Sequence, residues 1–162
     1  MPELITGRCR GIKPGKGVVH FRIYADQRHW FRVLIYPNRK RMRCAITRHA
    51  RSVLKDSEVL ATGVENWASY SASEMGVNAW CNCWYESGVA QLGDVVFNLE
   101  DMSEGIVAHE MAHASIWWAA VAYGRRKNKK KPGYLEQEEM ICRTIEEMTN
   151  LFYRRFRSRQ LG

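Results

Sequence analysis

The chain has 162 residues, a formal net charge of +8 and an apolar fraction of 46%. This length suits one domain with a core of its own, and the apolar fraction is ordinary for a globular protein. The polar, glycine-rich stretch at residues 1–17 is unlike a signal peptide, and the five cysteines make an odd number. These features favour a reducing cytoplasm and free thiols over a secreted disulfide framework. The positive charge is compatible with a nucleic-acid or acidic protein partner, and equally with a solvated basic surface.

The first third of the chain reads as a short β region. Residues 1–16 are expected to form a loose arm. Gly17–Tyr24 and Trp30–Tyr36 each alternate apolar and polar residues, which predicts two half-buried strands joined as a hairpin. After a turn, Met42–Ile46 is interpreted as a third strand, and Thr47–Leu54 as a short helix.

Three further segments in the middle of the chain are interpreted as strands. Val59–Tyr70 contains interruptions and is the weakest of them. Ala79–Tyr85 is rich in aromatic residues, and the spacing of Cys81 and Cys83 puts two thiols on one face of the strand. Gly93–Leu99 is bounded by turn residues and leads directly into a long apolar stretch.

That apolar stretch, Ser103–Tyr123, predicts one long and largely buried helix. Either Asp101 with Glu104, as a capping box, or Ser103 is expected to cap its start. The stretch is about as long as a membrane span, but it carries three ionisable side chains on one region of its surface. These side chains make a plain span implausible, so no membrane partner is predicted.

The C-terminal third contains a basic loop and a second long helix. The loop at residues 124–133 holds six lysines and arginines, and it is a candidate contact for the phosphates of a nucleic acid. Tyr134–Arg157 carries an apolar stripe at helical spacing, and residues 159–162 are expected to be an exposed tail. The whole chain, 1–162, is therefore predicted to be one α+β domain. Its small, mostly antiparallel sheet would pack on the buried apolar helix and on the C-terminal helix.

The chemistry of the chain is concentrated in His109-Glu110-Met111-Ala112-His113, an H-E-x-x-H motif. On a helix, His109 and His113 lie one above the other and can bind the same metal ion. Glu110 lies about 100° round the helix from His109, close enough to act on water held by that metal. The motif predicts a Zn²⁺ site in which Glu110 is the general base.

Catalytic zinc takes three protein ligands, and no histidine follows His113 in the chain. The acidic residues that open the last helix are the candidates for the third ligand. Helix phase places Glu138 on the apolar side of that helix and Glu139 towards solvent, so Glu138 is preferred and Glu139 is the runner-up. Alternatively, these glutamates are only N-terminal charges favoured by the helix dipole.

The order GDVVFNL, then GIVAHEMAHA, then LEQEEMICRTIEEM resembles the gluzincin branch of the zincin metallopeptidases, over residues 93–150. It is similar to compact members such as the ImmA/IrrE-type proteases, although Glu139 stands where their E-x-E-A stretch has alanine. HEMAHA also resembles the start of the SprT-like proteases, whose later histidine ligand this chain lacks. The resemblance implies a compact zincin-like fold, bound Zn²⁺ and a protein or peptide substrate.

Two functions from different classes follow from these observations. The first is a zinc metallopeptidase that hydrolyses a peptide bond, with Glu110 activating a zinc-bound water. The alternative is a non-catalytic binding module of phage or mobile-element type on a zincin scaffold. Such a module would act through its basic surface on nucleic acid or on an acidic host protein.

Overall fold

The computed structural model of the protein describes residues 11–55, 77–124 and 133–160. Within these ranges the chain forms four strands and three helices. In chain order they are β1 (Val19–Tyr24), β2 (Trp30–Tyr36), α1 (Arg39–Lys55), β3 (Trp80–Cys83), β4 (Gln91–Asn98), α2 (Glu104–Gly124) and α3 (Tyr134–Gln160). The expected hairpin, the strands around Cys81 and Gly93, and both long C-terminal helices are confirmed. None of the helices in these ranges is long and apolar enough to cross a membrane.

The four strands form one sheet in the order β1-β2-β4-β3. β1 pairs with β2 and β3 pairs with β4 in antiparallel fashion, whereas β2 and β4 run parallel. A parallel pair needs a crossover connection, and α1 lies within the chain that connects β2 to β4. The sheet is therefore mostly antiparallel, which confirms the expected α+β class, and β3 lies at one edge.

Helices cover both faces of this sheet. Alternate residues of each strand point to opposite sides, and buried apolar residues occur on both of them. Phe31, Val33, Val95 and Phe97 face α2 and α3 and form the larger core. Leu34, Tyr36 and Val96 face the other way, towards Met42 and Ile46 of α1. The H-E-x-x-H helix and α1 therefore lie on opposite sides of the sheet.

The strand expected at Met42–Ile46 is wrong, because these residues belong to α1. Met42, Ile46 and His49 recur at helical spacing and are all buried, so they form the inner face of a helix. Asn38 caps its start: the Asn38 Oδ1 atom accepts a hydrogen bond from the backbone amide of Arg41 at 2.9 Å.

The segment before β1 is anchored rather than loose at Ile12, whose exposed fraction is only 2%. Its amide donates a hydrogen bond to Asp94 Oδ2 at 2.8 Å, and its carbonyl accepts one from Arg32 at 2.7 Å. Arg32 Nε is in turn 2.8 Å from Asp94 Oδ1. The anchor is confined to Ile12 and its neighbour Gly11, since residues 13–16 are exposed.

Several other expectations fall outside the described residues. They are the remaining part of the arm at residues 1–10, the strand at Val59–Tyr70, most of the basic loop at 125–132, and the last two residues of the tail. Of that tail, Arg159 and Gln160 form the exposed end of α3.

Candidate metal centre

α2 is held against the sheet by one apolar face and by two tryptophans. Val107, Met111 and Ala114 are fully buried in the larger core. The indole nitrogen of Trp117 donates a hydrogen bond to the carbonyl of Trp84 at 3.0 Å, just beyond β3. The indole nitrogen of Trp118 donates one to Asp26, in the β1–β2 turn, at 2.6 Å. These contacts set the rotation of α2 relative to the sheet.

The start of α2 distinguishes between the two expected caps. Ser103 precedes the first helical residue, and its hydroxyl oxygen accepts a hydrogen bond from the amide of Ile106 at 3.3 Å. The Asp101 carboxylate instead pairs with the Arg39 guanidinium. Ser103 is therefore the N-cap of α2, and the Asp101–Glu104 capping box is not formed.

With this rotation, His109 and His113 are exposed on the side of α2 that faces away from the core. Their Nε2 atoms are 3.1 Å apart, and the rings meet at an interplanar angle of 80°. At that distance one imidazole donates a hydrogen bond and the other accepts it. The two side chains thus already converge on one point in front of the helix.

The convergence of these nitrogens fits a zinc ion. Zinc binds histidine nitrogen at about 2.0–2.1 Å with tetrahedral geometry, which places two nitrogen ligands about 3.3 Å from each other. The Nε2–Nε2 distance of 3.1 Å is within a few tenths of an ångström of that requirement. For both to coordinate one ion, the hydrogen bond between the two rings would be replaced by bonds to the metal.

Glu110 lies on a different side of α2 from the histidines, as the helix phase requires. Its exposed fraction is 6%, and it points towards β3, where it acts electrostatically on Cys81. Burial raises the pKa of the Glu110 carboxyl, and the neighbouring His109 partly counteracts this. A buried carboxyl group with a raised pKa, one residue along the helix from His109, is a candidate for proton transfer.

Cys81 and Cys83 share the face of β3 that is turned to α2, and their sulfur atoms are 3.3 Å apart. The hydrogen bond with Cys83 and burial raise the pKa of Cys81 well above the usual thiol value. Both effects favour the protonated form of the Cys81 thiol. Both residues are free cysteines, as are Cys44 and Cys142, in agreement with the expected free thiols.

The structure does not bring Glu138 to the histidines. Glu138 was predicted on the buried face of its helix, and that is wrong, because it is exposed. The hydroxyl of Tyr123 contacts Met140 at 2.9 Å, and that of Ser115 contacts Met148 at 3.6 Å. α3 thus runs antiparallel to α2, and Glu138 lies level with the end of α2.

The physical reason is the length of α2, which continues to Gly124. From the level of Tyr123 to that of His113 is about 15 Å along the helix, at about 1.5 Å per residue. The runner-up, Glu139, is at the same far end and pairs with Arg143 at 2.9 Å. The ligand role of Glu138 stays a prediction, and the packing of α3 does not support it.

Among the described residues, no group of three or more histidine, cysteine, aspartate or glutamate side chains is arranged to hold a metal ion. The two histidines are therefore the part of the predicted ligand set that the fold assembles. Comparisons of this chain with protein-family models, with curated proteins and with solved structures return no match.

Sequence reasoning missed the tryptophan contacts and the first half of α1, whereas the short helix predicted at Thr47–Leu54 agrees with its second half. Trp117 and Trp118 are adjacent in the chain, but one donates its hydrogen bond to Trp84 and the other to Asp26. A periodic pattern of apolar residues does not predict the partners of such hydrogen bonds. α1 did carry a signal, since Met42, Ile46 and His49 have helical spacing after a residue suited to an N-cap.

Proposed function

We propose that this chain is a zinc-dependent metallopeptidase with His109 and His113 as metal ligands and Glu110 as general base. The convergence of the two Nε2 atoms at 3.1 Å is the observation that carries the proposal. The two side chains lie four residues apart on one helix, and their nitrogens meet at close to the separation of two nitrogen ligands of one zinc ion. The buried Glu110 beside them supports the same reading.

Zinc, when bound, supplies Lewis-acid activation of water and of the scissile carbonyl. The protein side chains supply the rest of the chemistry. His109 and His113 hold the ion at the surface of α2, where a substrate has access. Glu110 accepts the proton of the attacking water and passes it to the leaving amine, a transfer that its raised pKa favours.

The edge of the sheet on the Glu110 side of α2 suits an extended peptide. β3 is paired with β4 on one side only within the described part of the sheet. A substrate strand that adds to this free edge gains backbone hydrogen bonds and lies alongside α2. We therefore propose an unfolded or extended segment of a protein as the substrate.

The metal content of the purified protein tests the ligands. We expect about one zinc per chain in the wild type, and its loss in His109→Ala and His113→Ala. Glu110→Gln is the matched control, because it keeps the ligands and should retain the zinc. Glu138→Ala should also retain it. If Glu138→Ala alone releases the ion, α3 approaches the histidines in solution.

Peptide cleavage tests the reaction. A quenched library of extended peptides should be cleaved by the zinc-loaded wild type and not by Glu110→Gln, because the base is removed while the metal stays. Removal of a general base typically lowers the rate by about 10²–10⁴-fold. Equal cleavage by both proteins would rule out catalysis at this site.

A further inference from the structure

α1 has the largest net charge of any helix or strand in the described chain. Its 17 residues include seven basic side chains and no acidic one. The basic residues are Arg39, Lys40, Arg41, Arg43, Arg48, Arg51 and Lys55. A single helix thus carries a positive charge almost equal to the formal net charge of +8 of the whole chain.

This charge distribution opposes the stability of the helix. Lys40 and Arg41 lie in the first turn, where the positive end of the helix dipole disfavours cations. Arg48 and Arg51 are three residues apart on one face, and like charges at that spacing repel each other. The folding of the helix therefore does not require cations at its start.

Two of these basic side chains are bonded to other described parts of the protein. Arg39 pairs with Asp101, and its backbone amide donates to Glu100 at 2.9 Å. Arg43 donates to the carbonyl of Val77 at 2.7 Å and to Asn78 at 3.0 Å. These two side chains hold α1 to the chain around β3 and β4.

Other cations of α1 have no acidic partner among the described residues. Lys40, Arg48 and Arg51 form no ion pair within the part of the chain that the structure describes. The Arg41 guanidinium donates a hydrogen bond to the backbone carbonyl of Lys16. This contact places the exposed Lys16 close to the start of α1.

Lys40, Arg48 and Arg51 lie on one face of α1. Together with Cys44 they follow the spacing of a helical stripe, and all four residues are exposed. The stripe is about 16 Å long, from eleven residues at about 1.5 Å each. Met42 and Ile46 point the opposite way, into the core, so the sheet holds the stripe outwards.

We propose that the outer face of α1 binds the phosphate backbone of double-stranded nucleic acid. Guanidinium and ammonium groups are the side chains that contact phosphates, and a helix-long row of them fits the regular charge of a duplex. We expect this binding to be independent of base sequence. Contacts to phosphates set the orientation of a protein on the duplex and do not distinguish one base from another.

A membrane surface and an acidic protein fit this face less well. A helix that lies in a membrane buries large apolar side chains, whereas Met42 and Ile46 of α1 are already packed against the sheet. The most exposed large apolar residues of the described chain, such as Ile116 and Leu135, lie on other elements. An acidic protein interface would need aromatic or aliphatic anchors at its centre, and the stripe has none.

The test is fluorescence anisotropy of a labelled 20-base-pair DNA duplex with the full chain, between 50 and 200 mM salt. One variant carries Lys40→Gln, Arg48→Gln and Arg51→Gln. The matched control carries Arg154→Gln, Arg155→Gln and Arg157→Gln at exposed positions of α3, and so removes the same charge. Because neither set touches His109, Glu110 or His113, the outcome does not depend on the proposed peptidase.

We expect the α1 variant to lose at least tenfold in affinity at 100 mM salt. Its slope of log affinity against log salt should fall by about 2 to 3, from about 0.9 per phosphate contact. The control variant should change the slope by less than about 1. Glutamine preserves the helix, so an unchanged thermal midpoint confirms that the loss is not unfolding.

Three results would overturn the proposal. They are no binding of the wild type at 50 mM salt, equal loss in both variants, and binding to vesicles with anionic lipid but not to the duplex. Equal loss would mean that only the net charge matters. Vesicle binding alone would reassign the face to a membrane.

Discussion

At the scale of single residues, Asp26 connects the β1–β2 turn to α2. Its carboxylate accepts hydrogen bonds from the amides of Arg28 and His29 at 2.7 and 2.6 Å. It also accepts one from the His29 ring at 2.8 Å and one from the Trp118 indole at 2.6 Å. The orientation of the H-E-x-x-H helix therefore depends in part on one ionised carboxylate in a hairpin turn.

Burial raises the pKa of Asp26, but the hydrogen bonds from His29, Trp118 and Arg28 outweigh it and lower the pKa from 3.8 to about 2. A carboxyl whose pKa is depressed in the folded state stabilises that state above its unfolded pKa and loses this effect as the pH falls through its folded pKa. We expect Asp26→Asn to be less stable than the wild type at pH 6. The difference in the free energy of unfolding should shrink between about pH 4 and pH 2.

Urea unfolding followed by tryptophan fluorescence at several pH values measures that difference. Glu139→Gln is the control, since Glu139 pairs with Arg143 on an exposed surface and such pairs contribute little at any pH. A difference for Asp26→Asn that stays constant down to pH 2 would show that the ionised form of the carboxylate is not what matters.

At the scale of elements, α1 begins with residues that are unsuited to a helix N-terminus. Arg39, Lys40 and Arg41 oppose the helix dipole, and the first turn contains no acidic residue. Asn38 compensates for this, because its side chain accepts a hydrogen bond from the Arg41 amide at 2.9 Å. The cap therefore contributes to the stability of the helix whose outer face we assign to nucleic acid.

We expect Asn38→Ala to lower the free energy of unfolding by about 1 kcal/mol, the usual effect of removing an N-cap. Asn38→Asp is the matched variant. It retains an acceptor oxygen and adds a negative charge beside three cations, so its stability should equal or exceed that of the wild type. Thermal unfolding by circular dichroism distinguishes the three proteins. A loss of stability in both variants would indicate that the amide group of Asn38 makes the essential contact.

At the scale of the whole molecule, Asp94 joins three distant parts of the chain. It lies on β4 with an exposed fraction of 0%, and it bonds to Arg32 of β2 and to the amide of Ile12. The negative charge of Asp94 is offset by the Arg32 guanidinium, which makes two bonds to it at 2.8 and 2.9 Å. The segment before β1 is thereby fastened to the centre of the sheet.

Asp94 is fully buried and Arg32 is half-buried, so removing the carboxylate leaves a partly desolvated guanidinium without its partner. We expect Asp94→Ala to lower the free energy of unfolding, by less than the roughly 3–5 kcal/mol that applies to a fully buried pair. The double variant Asp94→Ala with Arg32→Met should recover part of this loss, because the unpaired guanidinium is then absent. Denaturant unfolding of both single variants and the double variant gives the coupling energy. A coupling energy of zero would show that the two charges act independently.

The local patterns in the sequence determined much of the fold and the core of the site. Alternation over Gly17–Tyr24 and Trp30–Tyr36 identified the hairpin, because one face of each strand is buried. The spacing of His109 and His113 sufficed to place both on one side of a helix, since four residues are close to one turn. These properties depend only on neighbours along the chain.

Tertiary structure decided the rest, for reasons of packing that no local pattern contains. Met42–Ile46 resembled a strand by composition, but it is part of a helix. In that helix Met42 and Ile46 pack together against Leu34 and Val96 on the second face of the sheet. The distance of Glu138 from the histidines depends on how far α2 continues before the chain turns back. The exposed row of cations on α1 likewise appeared only once the buried face of that helix was known, because exposure is a property of the assembled layers.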